Sequence, residues 1–315
     1  MRRIASKRTL ACGLLAATFL FVSGCSSLQS KRLVQAPGDL AQRAELKDVP
    51  FFPQEAYQCG PAALATVLNA AGASVTPDEL APQVYLPERQ GSLQFELMGA
   101  TRQHGFIPYV LQPQLMDVLK EVEAGNPVLI LQNLGVSWYP KWHYAVVVGF
   151  DLSQEEIILR SGPEARHVRS MRRFEHTWKR SGYWAMVTMS PERLPRTASE
   201  AQYVHAIVDF ERVQRWHDAA TAYETALTRW PRNLVGRVGL GNSRYAVGAL
   251  SDAEAAYRQA TLDHPDAAPA FNNLAQVLAE QGRLTEAEAA ARRAVQLGGP
   301  LGKRYEATLR EILAR

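Results

Sequence analysis

The chain has 315 residues, of which 47% are hydrophobic and 21% charged, a balance that fits a globular protein of roughly one to three domains and excludes a disordered or collagen-like one. Its net charge of +4 resides in residues 1–24, where Arg2, Arg3, Lys7 and Arg8 stand without any acid; the remainder is neutral, which removes a global electrostatic case for nucleic acid. Three cysteines exclude a disulfide scaffold.

The N-terminus reads MRRIASKR, then LACGLLAATFLFV, then SGC. The apolar stretch is shorter than the ~20 residues that span a bilayer and has the layout of a secretory signal over residues 1–24. Val22-Ser23-Gly24-Cys25 resembles a bacterial lipobox. That resemblance implies a mature chain beginning at a diacylated Cys25, and two acyl chains give stable anchoring. Ser26, where an Asp would favour inner-membrane retention, implies an outer-membrane lipoprotein facing the periplasm. With Cys12 in the signal and Cys25 lipidated, Cys59 is left as the lone free thiol of an exported chain, either buried and inert or reactive and functional.

Residues 25–45 are polar and mixed and read as a lipidated tether. Residues 46–190 alternate helical and strand patterns. Cys59 to Ala73 reads as a helix; Thr76-Pro77-Asp78-Glu79 is a capping box; Ser92 to His104 and Gln114 to Ala124 have helical periods, each stopped by a glycine. Phe106–Leu111, Pro127–Leu134, His143–Phe150, Glu156–Arg160 and Tyr183–Met189 read as strands, with a turn at Asp151 to Gln154. Helices come first and strands later, which argues α+β.

Beyond Pro191 and Pro195 the composition turns to Ala-rich helix with a 34-residue period. Asp218, Asp252 and Glu286 keep this step, as do Ala219, Ala253 and Ala287; Tyr223, Tyr257 and Ala291; Ala226, Ala260 and Ala294; and Pro231, Pro265 and Gly299. Ala206, Leu240 and Leu274, and Ile207, Gly241 and Ala275, hold the upstream register. This resembles the tetratricopeptide (TPR) repeat and implies an all-α solenoid of three units over residues 200–299, closed by a capping helix at 300–315, with a groove that takes a protein partner.

The chemistry centres on Val49-Pro-Phe-Phe-Pro-Gln54-Glu-Ala-Tyr-Gln58-Cys59-Gly60-Pro61-Ala62-Ala63-Leu64. It places the lone thiol at a helix start, where amides and the dipole favour a thiolate. Gln54 is a neutral donor for an oxyanion. Of seven histidines, His143 is the best base, a titratable group at the mouth of an apolar strand. Gln54…Cys59-Gly-Pro-Ala-Ala-Leu and His143-Tyr-Ala-Val-Val-Val-Gly resemble the papain-like cysteine peptidases of family 39, the double-glycine leader peptidases and their stand-alone relatives. Over residues 48–190 the resemblance implies a papain-like α+β domain with Cys59 as nucleophile, His143 as general base and Gln54 as oxyanion donor. The chain is also similar to the lipoprotein subgroup that joins such a domain to TPR repeats.

Two departures stand out. Gln54 lies five residues before the cysteine rather than the family's six, which leaves Gln58 as a second candidate. The orienting Asp is missing: its place on the return strand falls to Ser161, with Asn133 on a neighbouring strand as a second candidate and Asp151 too far along the strand. The reading is a membrane-anchored thiol peptidase acting on peptide or protein. The alternatives are a catalytically dead scaffold whose repeats do the work, and an acyltransferase or amidase using the same residues. No P-loop or metal-ligand spacing occurs, so neither ATP nor a cofactor is expected. Residues 160–180 carry seven cations against Glu164 and Glu175, a charge run suited to solvent or to anionic headgroups.

Overall fold

The computed structural model describes residues 28–53 and 58–315. Cys25 and Gln54 therefore lie outside the described residues. The first domain runs α1 (Gln29–Gln35), β1 (Arg43–Glu45), α2 (Cys59–Ala70), α3 (Pro77–Val84), α4 (Gln94–Gln103), β2 (Ile107–Val110), α5 (Leu115–Glu123), β3 (Val128–Asn133), β4 (Trp142–Asp151), β5 (Glu156–Ser161), β6 (Glu164–Ser170), α6 (Met171–Lys179) and β7 (Ala185–Met189). An antiparallel sheet ordered β2-β7-β3-β4-β5-β6 forms its centre, and β1 pairs with the end of β4 that β3 leaves free. This is the expected α+β architecture.

Strand alternation divides the core. Leu129, Leu131, Tyr144, Val146 and Val148 join α2, α3 and α4 on one face. Val128, Ile130, Ala145 and Val147 join α5 and α6 on the other. The capping box forms as its residues dictate: Glu79 N–H donates to Thr76 Oγ1 at 3.3 Å, and Thr76 N–H to Glu79 Oε2 at 2.8 Å.

The tether expected over 25–45 is corrected from residue 29 onward, because α1 and β1 are docked. Glu175 is fully buried on α6, and its two carboxylate oxygens accept the Gln29 and Ser30 amides at 2.6 and 2.8 Å. Leu33 and Leu40 enter the core. A short helix whose first amides meet a carboxylate needs no favourable period of its own. The charged run at 164–179, too, is structured as β6 and α6.

The repeats are α7 (Glu200–Glu211) with α8 (Trp216–Arg229), α9 (Leu234–Ala246) with α10 (Leu250–Asp263), and α11 (Ala268–Glu280) with α12 (Leu284–Leu297), followed by α13 (Gly302–Leu313) as the cap. Close approach explains their register. A Cβ on Gly241 would stand 2.4 Å from the Tyr257 ring. In the next unit the equivalent pair is Ala275 and Ala291, so a gained methyl is matched by a lost ring. The first unit departs because α7 also faces the sheet. Ile207 and Tyr203 are fully buried in the core that contains Tyr109 of β2, with the two tyrosine rings 6.0 Å apart. Gln202 Nε2 donates to Val110 O at 2.6 Å. The two domains thus share one apolar core.

Candidate active site

The sequence needs α2 to begin abruptly, and the structure gives the reason. Gly60 to Leu68 are all buried, so the helix enters the core within its first turn. Any Cβ on Gly60 would lie 2.2 Å from Ser92 Oγ, so glycine is what lets this turn abut the segment leading into α4. Tyr144 O–H donates to Ser92 O at 3.3 Å from across the same junction.

Cys59 is the first residue of α2 and is half-buried. The amides of Tyr144, Gly60 and Cys59 itself reach the sulfur and pull its pKa down, but burial outweighs them and leaves the thiol above its ordinary value. The expected thiolate is therefore corrected to a neutral thiol, because desolvation penalises the charged form more than one helix end rewards it.

His143 is the second residue of β4 and is half-buried. Its Nε2 lies 2.8 Å from Ser161 Oγ, at the end of β5. Burial, followed by the electrostatic influence of Lys141, His167 and Arg169, pushes its pKa down to about 4. The imidazole is therefore neutral at pH 7. The Tyr144 amide ties the His143 region to the sulfur, since Tyr144 follows His143 directly in β4. No hydrogen bond joins Cys59 to His143 themselves among the described residues.

The other candidates separate clearly. Gln58 is half-buried at the N-cap of α2, beside Cys59, and its side chain makes no capping bond. Asn133 is buried and occupied: its Oδ1 accepts the Gly135 and Lys141 amides at 2.9 and 3.0 Å, holding the β3–β4 loop rather than the histidine. Asp151 Oδ1 caps its own turn, accepting from the Ser153 and Gln154 amides.

Sequence reasoning missed Ser92, Tyr144 and Arg160. Arg160, counted there with the charge run, is buried, and its Nη2 donates to the Lys47 and Val49 carbonyls at 3.1 and 3.0 Å. It fixes the segment that leads into Gln54. Its one legible signal was a lone cation at the end of an apolar strand. Among the described residues, no cluster of three His, Cys, Asp or Glu could hold a metal ion. In the repeats, a cavity of about 280 Å³ lies between α7, α8, α9 and the start of α11, lined by Val208, Tyr223, Val235, Val238, Gly239 and Asn242 among others.

The Peptidase_C39 like family matches residues 46–186, and a tetratricopeptide repeat family matches residues 238–300. Among solved structures, a C39-like peptidase from Bacillus anthracis is 19% identical, with a TM-score of 0.41, over 47% of this chain and 98% of its own. A type III secretion chaperone from Yersinia enterocolitica, in complex with a peptide of the translocator YopD, is 20% identical, with a TM-score of 0.35, over 38% of this chain and 97% of its own. The protein PcrH from Pseudomonas aeruginosa is 20% identical, with a TM-score of 0.35, over 36% of this chain and 91% of its own. No curated protein matches the chain.

Proposed function

We propose that this chain, a C39-like peptidase domain followed by tetratricopeptide repeats, is a lipid-anchored thiol peptidase of the bacterial outer membrane, facing the periplasm, with Cys59 as nucleophile and His143 as base. The observation that carries this reading is the convergence on one corner of the fold of a helix-starting thiol, the amide after His143, and a Ser161 hydroxyl 2.8 Å from Nε2 of the imidazole.

The resting pair is neutral. With Nε2–H donated to Ser161 Oγ, Nδ1 is the unprotonated nitrogen. As Cys59 sulfur attacks a substrate carbonyl, its proton passes to Nδ1 and the carbonyl becomes an oxyanion. The Cys59 amide and a glutamine side chain, Gln54 or Gln58, are its donors. The imidazolium then protonates the leaving amine, leaving an acyl-enzyme that water hydrolyses. Ser161 holds the ring but, being neutral, offsets little of the imidazolium charge. The repeats present the α7–α9–α11 cavity to a protein partner or to substrate.

The test is turnover of peptide substrates by the wild-type protein and by Cys59→Ala. Complete loss in the variant supports the reading, whereas equal hydrolysis overturns it. The cations around His143, with no carboxylate among the groups that shift its pKa, favour a second reading, a binding scaffold without turnover. That reading predicts no hydrolysis in either form.

A further inference from the structure

The charge run is distributed unevenly in the structure. Arg160 is consumed by main-chain carbonyls, Arg166 pairs with Glu45 at 2.7 Å, and Arg169 donates to His167. What remains lies on α6. Arg172, Arg173, His176 and Lys179 are all exposed and fall within one arc of the helix, while Met171, Phe174, Glu175 and Trp178 fill the opposite side. The one acid of α6, Glu175, is buried against the first amides of α1. Helix α1 adds exposed Lys31 and Arg32 and carries no acid. The next acid along, Asp39, is paired with Lys120 and Arg196.

An aromatic loop is fastened to this basic face. Trp138 is 85% exposed, Tyr139 78% and Trp142 53%. The loop is held firmly: Leu134 N–H donates to Lys141 O at 2.8 Å, Val136 and Tyr139 exchange both main-chain bonds at 3.2 Å, and Asn133 Oδ1 closes the base. Arg180 Nη1, at the end of α6, donates to the Gly135 and Asn133 carbonyls. Cations beside tryptophan and tyrosine, side chains with an apolar body and a polar edge, match the headgroup zone of a bilayer.

The chain leading to this face is short. Cys25 lies four residues before Gln29, a span of at most about 14 Å when fully extended. We propose that the exposed face of α1 and α6, together with the Trp138–Tyr139 loop, seats the protein on an anionic lipid bilayer, with the cations at the phosphates and the aromatics among the headgroups. The leash length rests on the lipid-anchor reading above, but the affinity of the face for anionic lipid does not.

The test separates the two. Residues 26–315, which contain every described element and neither signal nor acyl chain, are sedimented with vesicles of phosphatidylcholine alone or with phosphatidylglycerol. Binding is expected only to the anionic vesicles and is expected to weaken with added salt. Each cation at an anionic surface is worth about fivefold, so Arg172→Gln with Arg173→Gln should lower the partition coefficient about 25-fold. Trp138→Ala with Tyr139→Ala should also lower it, with circular dichroism unchanged. A chain that stays in the supernatant with anionic vesicles, or Arg variants that sediment like the wild type, would overturn the proposal. Binding to heparin but to no vesicle would assign the face to soluble polyanions and overturn it equally.

Discussion

His143 Nε2 and Ser161 Oγ lie 2.8 Å apart across the ends of β4 and β5. A hydroxyl at this place holds the ring but brings no negative charge to a histidine already surrounded by Lys141, His167 and Arg169. Ser161→Asp should therefore raise the His143 pKa and increase peptide turnover at pH 7 by about tenfold or more, the equivalent of one pKa unit. Matched rates of substrate hydrolysis in the two proteins decide it; no increase would remove imidazolium stability as the limiting factor.

The same histidine makes a pH prediction. Its pKa is about 4 in the folded protein and about 6.5 in an unfolded chain. Between these values the unfolded chain binds the proton more readily, so this contribution to stability is present above about pH 6.5 and is lost as pH falls toward 4. His143→Gln should reduce the drop in melting temperature between pH 7 and pH 5. An identical drop in both proteins would contradict the assignment.

Cys59, a half-buried thiol whose pKa burial raises, should react slowly with iodoacetamide at pH 6 to 7 and accelerate only above its ordinary range near pH 9. Ser161→Asp should move that acceleration to lower pH by favouring the thiolate–imidazolium pair. Rapid alkylation of the wild type in mild acid would show that the amides of Tyr144 and Gly60 outweigh burial.

Glu175 is the anchor of α1. Glu175→Ala leaves the Gln29 and Ser30 amides without their partner, and bonds to a charged group contribute about 1.5–3 kcal/mol each. Lower thermal stability and new proteolytic cleavage near residue 36 are expected. An uncleaved variant as stable as the wild type would mean that Leu33 and Leu40 suffice to hold the helix.

Within the repeats, Gly241→Ala drives a methyl to 2.4 Å from the Tyr257 ring. Overpacking costs about 1–3 kcal/mol, less up to about 1 kcal/mol regained from helix propensity. The penalty should vanish in a Tyr257→Ala background, because Ala275 and Ala291 show that this smaller pair fits the same register. Denaturant midpoints of the four proteins measure the coupling. Truncation needs similar care: removing residues 200–315 would expose the face of the sheet that α7 covers, whereas removing 233–315 keeps α7 and α8. The shorter deletion should leave Cys59 alkylation unchanged and reduce recovery of a co-purifying partner.

The sequence alone determined the α+β domain and the helical repeats, and it named Cys59, His143 and Ser161 as candidates. These features are written in local patterns: a capping box, strand alternation, a 34-residue period, and a hairpin turn that sets which residue of β5 faces β4. It did not reveal the docking of α1 and β1. Those segments have no strong period, and their stability comes from Glu175 on α6 and from the free edge of β4, both more than a hundred residues away. The protonation states were equally hidden. A helix start argues for a thiolate, but the burial that reverses it at Cys59, and the burial that leads the depression of His143, arise only when the strands and α2 are assembled. The same holds for the charge run: position in sequence gave seven equivalent cations, and tertiary structure divided them into Arg160 bound to carbonyls, Arg166 paired with Glu45, and an α6 face left open. Desolvation and charge pairing depend on what surrounds a side chain, and that is decided by contacts between segments distant in the chain.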